Sequence, residues 1–491
     1  MLRIPTVFAF VVFAAAQDNK ELDRVTSLPG FDGKSLPSAW YSGYLAVNSG
    51  KKMLHFLLQE ADDDAASKPL LLWLNGGPGA SSLIGAFTEL GQLVFNSHSQ
   101  QLNVTASGGT SLVPRLFRNP YSWTTVANVL YLEAPAGVGF SYCVDPDSSC
   151  VSNDTSTARE NHEALVAFLQ RFPEYARRPK FLTGESYAGI YLPMLMDEIE
   201  RRGEVSNVSG AAIGNGCWGT VAGTNCGDLL DEPGTVYRVD KEYFLGRGLI
   251  SPVLAAAADR ACGDWADPLP AKCEAAYRAI SAAVGSFNID NVDDACPGAG
   301  LDSSLHVFRT SGWEQRLVRR NRGHATSGNR NVTVGSVGPV ATPVIGEQQL
   351  WCGAEHASQT WQQLPEVQRA LHVAGPGSRK HAFDYNIERL DLRALYRRFA
   401  SDTKLNFVVY NGLSDANVPW NGQVRYWAQN FSVPQGKEWQ PWSVGGRNTL
   451  TSGHVRSYSE TFKFITVNGA GHEVPTYRPA AALAMLKQFV L

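Results

Sequence analysis

One short segment restricts the folds open to this chain more than any other: Gly184-Glu185-Ser186-Tyr187-Ala188-Gly189. It follows an apolar, strand-like run at residues 180–183 and opens an amphipathic helical pattern at 187–201. A serine flanked by small residues at a tight strand-to-helix turn is the local signature of a nucleophile elbow, which stands a hydroxyl clear of a sheet. Ala188 takes the place of the second glycine of the simple G-x-S-x-G pattern, and alanine is nearly as small. The plainer alternative is a strand-helix turn with no chemistry. Partners elsewhere in the chain must decide between the two.

The surrounding pattern fits a sheet that such a turn could serve. Strand-like runs recur at 41–47, 53–58, 70–74, 129–133 and 179–183, with helical patterns between some of them, at 158–172 and 187–201. Strands alternating with helices predict a mostly parallel sheet covered on both faces. The pattern resumes late in the chain, with a helix at 364–373, strands at 405–410 and 462–467, and a closing helix at 479–490. At 491 residues the chain exceeds the ordinary single-domain range, so an insertion or a second domain is expected. Residues 217–352 differ from the rest. They hold six of the eight cysteines, short helical stretches at 252–260 and 271–284, and a basic, Gly/Ser/Asn-rich stretch at 319–338. The expected fold is therefore α/β, an α/β-hydrolase sheet with a disulfide-stapled helical cap inserted into it. The division is a signal segment at 1–16, core at 17–216, cap at 217–352 and core again at 353–491. The run Arg319-Arg320-Asn321-Arg322 lies in an apolar-poor loop of the kind that is readily nicked.

The N-terminus reads as a secretory signal: Arg3, an apolar run at 4–13, then Ala14-Ala15-Ala16 before Gln17. That run is too short to span a bilayer, and no later run reaches that length. Eight cysteines, none in a C-x-x-C pair, fit disulfides in an oxidising compartment better than a metal site. Five N-x-S/T sequons begin at Asn103, Asn153, Asn207, Asn331 and Asn430. The expected destination is the secretory pathway, extracellular or vacuolar/lysosomal. A net charge of −3 gives no reason to expect nucleic acid or an anionic membrane as partner.

A serine nucleophile needs a base, and the base needs a carboxylate to fix its tautomer. In the hydrolase order these follow the serine as acid, then histidine, in loops after later strands. Asp415 lies just beyond the apolar run that ends at Tyr410, and His472 just beyond the one that ends at Val467. Either alone is an ordinary loop residue; the order of the pair, each past a strand end, makes them candidates. The adjacent glycines of Trp73-Leu74-Asn75-Gly76-Gly77-Pro78-Gly79 would let backbone N–H groups approach a developing oxyanion, or form a turn without function.

Taken with NPYSW (119–123), EAPAGVGFSY (133–142) and GAGHEVP (469–475), these blocks resemble the serine carboxypeptidases, in the family's order from near residue 41 to the C-terminus. The resemblance implies an enzyme that releases C-terminal residues from peptides through an acyl-enzyme. Ser186 would be nucleophile, His472 base and Asp415 its orienting acid, with the Gly77 and Tyr187 N–H groups as oxyanion hole. Asn75, Gly76, Glu89 and Glu185 would bind the substrate carboxylate, and Glu473 would line the leaving-residue pocket and favour basic residues. No cofactor or metal is implied. The partners implied are peptide or protein C-termini, with a homodimer left open. Two carboxyls facing a third predict an acidic optimum for peptides. Ala80 replaces a cysteine that many members bridge to one near Cys352, Leu413 an aspartate, and Gln92 a proline. An acyltransferase of the same fold and a catalytically silent binding protein remain the alternatives.

Overall fold

The computed structural model describes residues 20–99, 103–104, 110–111, 113–145, 150–220, 226, 235–265, 270–285, 287–294, 353–373, 383–388, 390–431, 438–445 and 449–491. The signal segment, Cys296, Cys352, Asn331 and the basic stretch at 319–338 lie outside them, and of Asn103 only the backbone is described.

A mixed sheet organises the chain. Its spatial order is Arg24–Val25, Trp40–Val47, Lys52–Gln59, Asn128–Leu132, Leu70–Leu74, Lys180–Glu185, Val208–Gly214, Asn406–Gly412, Phe462–Val467, Gly453–Ser457 and Gln440–Trp442. Every neighbouring pair from Asn128–Leu132 through Phe462–Val467 is parallel. Both flanks are antiparallel. The parallel centre is what the strand-helix alternation predicts. The flanks arise where successive strands are joined directly, as Trp40–Val47 is to Lys52–Gln59, with no crossover helix between them.

The central strands are apolar without interruption because both faces are covered. Alternate side chains divide between two cores. Leu70, Leu72, Leu74, Leu182, Phe407 and Val409 pack under Asp154–Arg171, Ala188–Arg202 and Arg393–Ser401. Leu71, Trp73, Val129, Tyr131, Val408 and Ile465 pack under Ala354–Gln362 and Pro479–Met485. A third, smaller core joins Thr235–Gly246, Pro252–Cys262 and Ala271–Val284, the last two stapled by Cys262–Cys273. Disulfides also link Cys143 to Cys150 and Cys217 to Cys226. No helix among the described residues is long and apolar enough to cross a membrane.

Three local readings change. The strand Val208–Gly214 was not anticipated, because four of its five buried positions are small, Gly210, Ala211, Ala212 and Gly214 around Ile213. The helix expected at 364–373 is shorter, Pro365–Ala370, with Pro365 in its first turn, and a separate helix that was not expected, Ala354–Gln362, precedes it. The helix expected from 158 begins at Asp154. The Asn153 side chain accepts the Ser156 N–H at 2.7 Å while Ser156 Oγ accepts the Asn153 N–H at 2.9 Å, a reciprocal cap.

Candidate active site

The strand Lys180–Glu185 delivers Ser186 directly into the helix Ala188–Arg202. Between them Ser186 adopts φ +60°, a conformation a side-chain-bearing residue rarely holds. Its neighbours enforce it. The Ser186 N–H donates to the Gly214 carbonyl at 2.9 Å, and the Ser186 carbonyl accepts from Gly189 and Cys217, each at 3.0 Å. Strain at one residue persists when the surroundings over-determine it in this way. Ser186 is partly exposed while Tyr187 behind it is buried, its hydroxyl donating to Asp154 at 2.7 Å.

The glycine turn after Leu70–Leu74 lies against this elbow. A Cβ on Gly76 would fall 2.3 Å from the Tyr187 nitrogen and 2.7 Å from the Ser186 Cβ, so only glycine allows the approach. Gly77 follows at φ +107°. The two segments expected to form an oxyanion hole are therefore in contact.

Asp415 and His472 meet beyond the ends of Asn406–Gly412 and Phe462–Val467. His472 Nδ1 lies 2.8 Å from Asp415 Oδ2, and both side chains are buried. The same Oδ2 accepts from Asn215 Nδ2 at 2.6 Å, and Oδ1 accepts the N–H groups of Asn417 at 2.7 Å and Val418 at 3.1 Å. Four donors thus fix the Asp415 carboxylate in place against the imidazole. Burial would lower the His472 pKa, but the carboxylates of Asp415, Glu473 and Asp290 outweigh it and raise the group well above its ordinary value. Asn215 and Asp290 were not anticipated. Asn215 closes the unanticipated strand, and an asparagine in a loop carries no mark of its task. Asp290, Asp415 and His472 are the three side chains among the described residues grouped closely enough to face a cation. The four donors on Asp415 already use its acceptor positions.

A third group lies behind the glycine turn. The Asn75 amide donates to Glu89 Oε1 at 2.9 Å and to Glu185 Oε1 at 2.8 Å, while its own oxygen accepts from Trp73 Nε1 at 2.7 Å. The donors on Asn75 Oδ1 fix the orientation of the amide, so its nitrogen must face the carboxyls. Both glutamates are buried, and neither Oε2 has a partner among the described residues. Burial pushes Glu89 up to about 7. Burial, then the charges of Glu89 and Glu473, push Glu185 well above the carboxylate range. Glu473 is half-buried beside His472, raised by burial and by Asp290.

The departures from the expected pattern are absorbed locally. Gln92 is buried and holds Ser38 Oγ at 2.9 Å, the Glu60 carbonyl at 3.1 Å and the Trp40 indole. The carbonyl of Leu413 accepts the Tyr243 hydroxyl at 3.3 Å. Of the sequon asparagines, Asn207 is exposed and Asn153 and Asn430 are half-buried.

A mixed sheet with a strained serine at a strand end, and a His–Asp pair in two later loops, defines an α/β-hydrolase. The sequence profile described as serine carboxypeptidase matches residues 29–491, and the chain belongs to the serine carboxypeptidase family. As a member it is a serine-type carboxypeptidase, a hydrolase. It is 29% identical to serine carboxypeptidase 1 of Hordeum vulgare, over 95% of this chain and 92% of that one. It is 31% identical to the lysosomal protective protein of Mus musculus, over 97% and 94%. It is 29% identical to serine carboxypeptidase-like 20 of Arabidopsis thaliana, over 100% and 98%. The fold is that of the Saccharomyces cerevisiae prohormone-processing carboxypeptidase Kex1(Δ)p, with TM-score 0.63, 17% identity and 96% of each chain covered. Three disulfides fit an oxidising, secretory-route compartment.

Proposed function

We propose that the protein removes single residues from the free C-termini of peptides by way of an acyl-enzyme on Ser186. The observation that carries this reading is the Asn75 amide joining two buried glutamates, Glu89 and Glu185, immediately behind the nucleophile. Ionised, such a pair would repel a substrate carboxylate. With protons held among the three carboxyls, they can donate to it. Glu89 at about 7, with Glu185 also raised well above the usual carboxylate range by burial and by Glu89, keeps protons in the pair through the mildly acidic range.

In this reading His472 takes the Ser186 proton as Oγ attacks the scissile carbonyl, and Asp415 holds the imidazole in the tautomer that can accept it. The N–H groups of Gly77 and Tyr187 receive the oxyanion. The proton passes from His472 to the departing amino acid, and a water repeats the sequence on the acyl-enzyme. Glu473 faces the departing residue and favours a basic one. The protein travels the secretory pathway to an extracellular, vacuolar or lysosomal site, with glycans on its exposed sequons.

The test is a blocked dipeptide offered as free acid and as amide across pH 4.5–8. KM for the acid should climb as pH rises through about 7 while the amide keeps its activity. Superimposable profiles would remove the carboxyl pair from substrate binding. An acyl glucose assayed alongside would reveal an acyltransferase.

A further inference from the structure

The described part of the segment at 287–294 belongs to the cap side of the molecule, since Phe287 packs in the third core. Yet its polar backbone is spent on the two loops that carry Asp415 and His472. The Ile289 carbonyl accepts the Ala416 N–H at 2.9 Å, and the Val292 N–H donates to the Ser414 carbonyl at 2.9 Å. The Asp290 carbonyl accepts the His472 N–H at 2.6 Å. On the side-chain level Asp290 Oδ1 accepts from Asn417 Nδ2 at 3.1 Å, and Asp293 accepts from Ser414 Oγ at 2.6 Å. One strip of cap chain thus braces both loops. It also brings a third acid to the histidine: a carboxylate oxygen of Asp290, one of Asp415 and a ring nitrogen of His472 all lie within 4.8 Å of one another.

Resting on the hydrolysis proposed above, we propose that Asp290 is a positioning residue for His472. Its carbonyl fixes the histidine loop, and its carboxylate stabilises the imidazolium formed when the Ser186 proton arrives. The groups facing His472 are Asp415 from the loop after Asn406–Gly412, Glu473 on its own turn, Asp290 from the cap, and Glu89 and Glu185 behind the glycine turn. On the cap side Arg247 pairs with Asp293. Asp415 is already shared among four donors, so a second carboxylate adds charge where the first is partly neutralised.

A charge that stabilises the imidazolium acts twice. It raises the pH at which the resting histidine loses its proton, and it lowers the barrier to taking one from serine. The two effects cancel at low pH, where most of the enzyme is protonated, and separate at high pH. Inactivation by a fluorophosphonate reads this without any peptide: the Ser186 Oγ–P bond forms, the P–F bond breaks, fluoride leaves, and the proton goes to His472. For Asp290→Asn the midpoint of the acid limb should fall by about one pH unit. The high-pH plateau should drop by about tenfold, while rates on the acid limb match the wild type. Asp290→Ser should give the same pattern if the asparagine variant does not fold. A uniform fall at every pH, as expected of mere structural damage, overturns the inference, and so does an unshifted profile. If the wild type takes up no fluorophosphonate at Ser186, the hydrolase mechanism itself fails, and the inference fails with it.

Discussion

The side-chain amide of Asn215 lies 2.6 Å from Oδ2 of Asp415, the oxygen that also receives His472 Nδ1. Its own oxygen accepts the Gly412 N–H at 3.2 Å, so the amide is oriented by the strand that carries Asp415. Asn215 therefore ties the ends of two adjacent parallel strands together and sets the angle at which the carboxylate meets the imidazole.

Replacing Asn215 by alanine removes one charge-assisted hydrogen bond from a fully buried carboxylate, worth about 1.5–3 kcal/mol. If that loss is expressed in the transition state, kcat should fall by about tenfold to a hundredfold with KM little changed. Steady-state kinetics on a blocked dipeptide, with circular dichroism to confirm folding, provides the check. A kcat within twofold of wild type would show that the remaining donors suffice to hold Asp415.

What could be read from the sequence depended on whether a residue's neighbours in the chain were also its neighbours in space. Ser186 could be found because the strand, the turn and the helix that strain it are contiguous. Leu70–Leu74 could be found because five apolar residues in a row leave few other uses. Asp415 and His472 were visible through their order past strand ends. Asn215 was not, for it follows a strand of mostly small residues and its partner Asp415 stands 200 residues away. Asp290 was hidden for the same reason: its contacts with Asn417 and His472 span more than a hundred residues. Gln92, which departs from the family's usual proline, became intelligible only once Trp40, Ser38 and Glu60 stood around it.

A buried ion pair offers a test of the core rather than the site. Lys52 Nζ lies 3.0 Å from Glu160, and both are buried where the sheet meets the helix Asp154–Arg171. Burial raises the Glu160 pKa and the Lys52 charge opposes that rise. Lys52→Met removes the buried cation, leaves the carboxyl only the more exposed Arg159 at 3.8 Å, and should cost about 3 kcal/mol. Adding Glu160→Leu should recover most of that loss, because two apolar side chains need no partner. Denaturant melts of the single and double variants would measure both steps. A double variant no more stable than the single would mean the pair itself stabilises the fold.

Glu473 is raised by burial, by Asp290 and by Glu89, and is lowered by His472. A carboxyl in that setting holds its proton until a cation approaches. A C-terminal arginine supplies one, and its advantage over leucine should grow as pH rises. Glu473→Met should lower the kcat/KM ratio of Arg to Leu substrates by about tenfold and abolish the pH trend. An unchanged ratio would place Glu473 outside the leaving-residue pocket.

The carboxyl cluster should also be visible in stability. Glu89, Glu185, Glu473 and His472 all have pKa values raised in the folded protein. A raised value means the folded state binds more protons than the unfolded one, so stability falls as pH climbs from the unfolded pKa to the folded one. For Glu89 that window runs from about 4.5 to about 7 and is worth about 3 kcal/mol. Asp197, Glu198, Asp293 and Asp391 are lowered instead, and their contribution is lost as pH falls below about 4. The maximum should therefore lie near pH 4.5–5, between the two windows. For a chain of this length a loss of that size amounts to about 3 °C in Tm. Melting should accordingly show Tm falling between pH 5 and 7.5 in the wild type. Glu89→Gln with Glu185→Gln should flatten much of that fall while leaving the acid side unchanged, because the glutamines cannot ionise. A double variant with the wild-type slope would show that the two carboxyls ionise in the folded protein as readily as in the unfolded chain. The acidic binding range proposed for peptides would then have lost its physical basis.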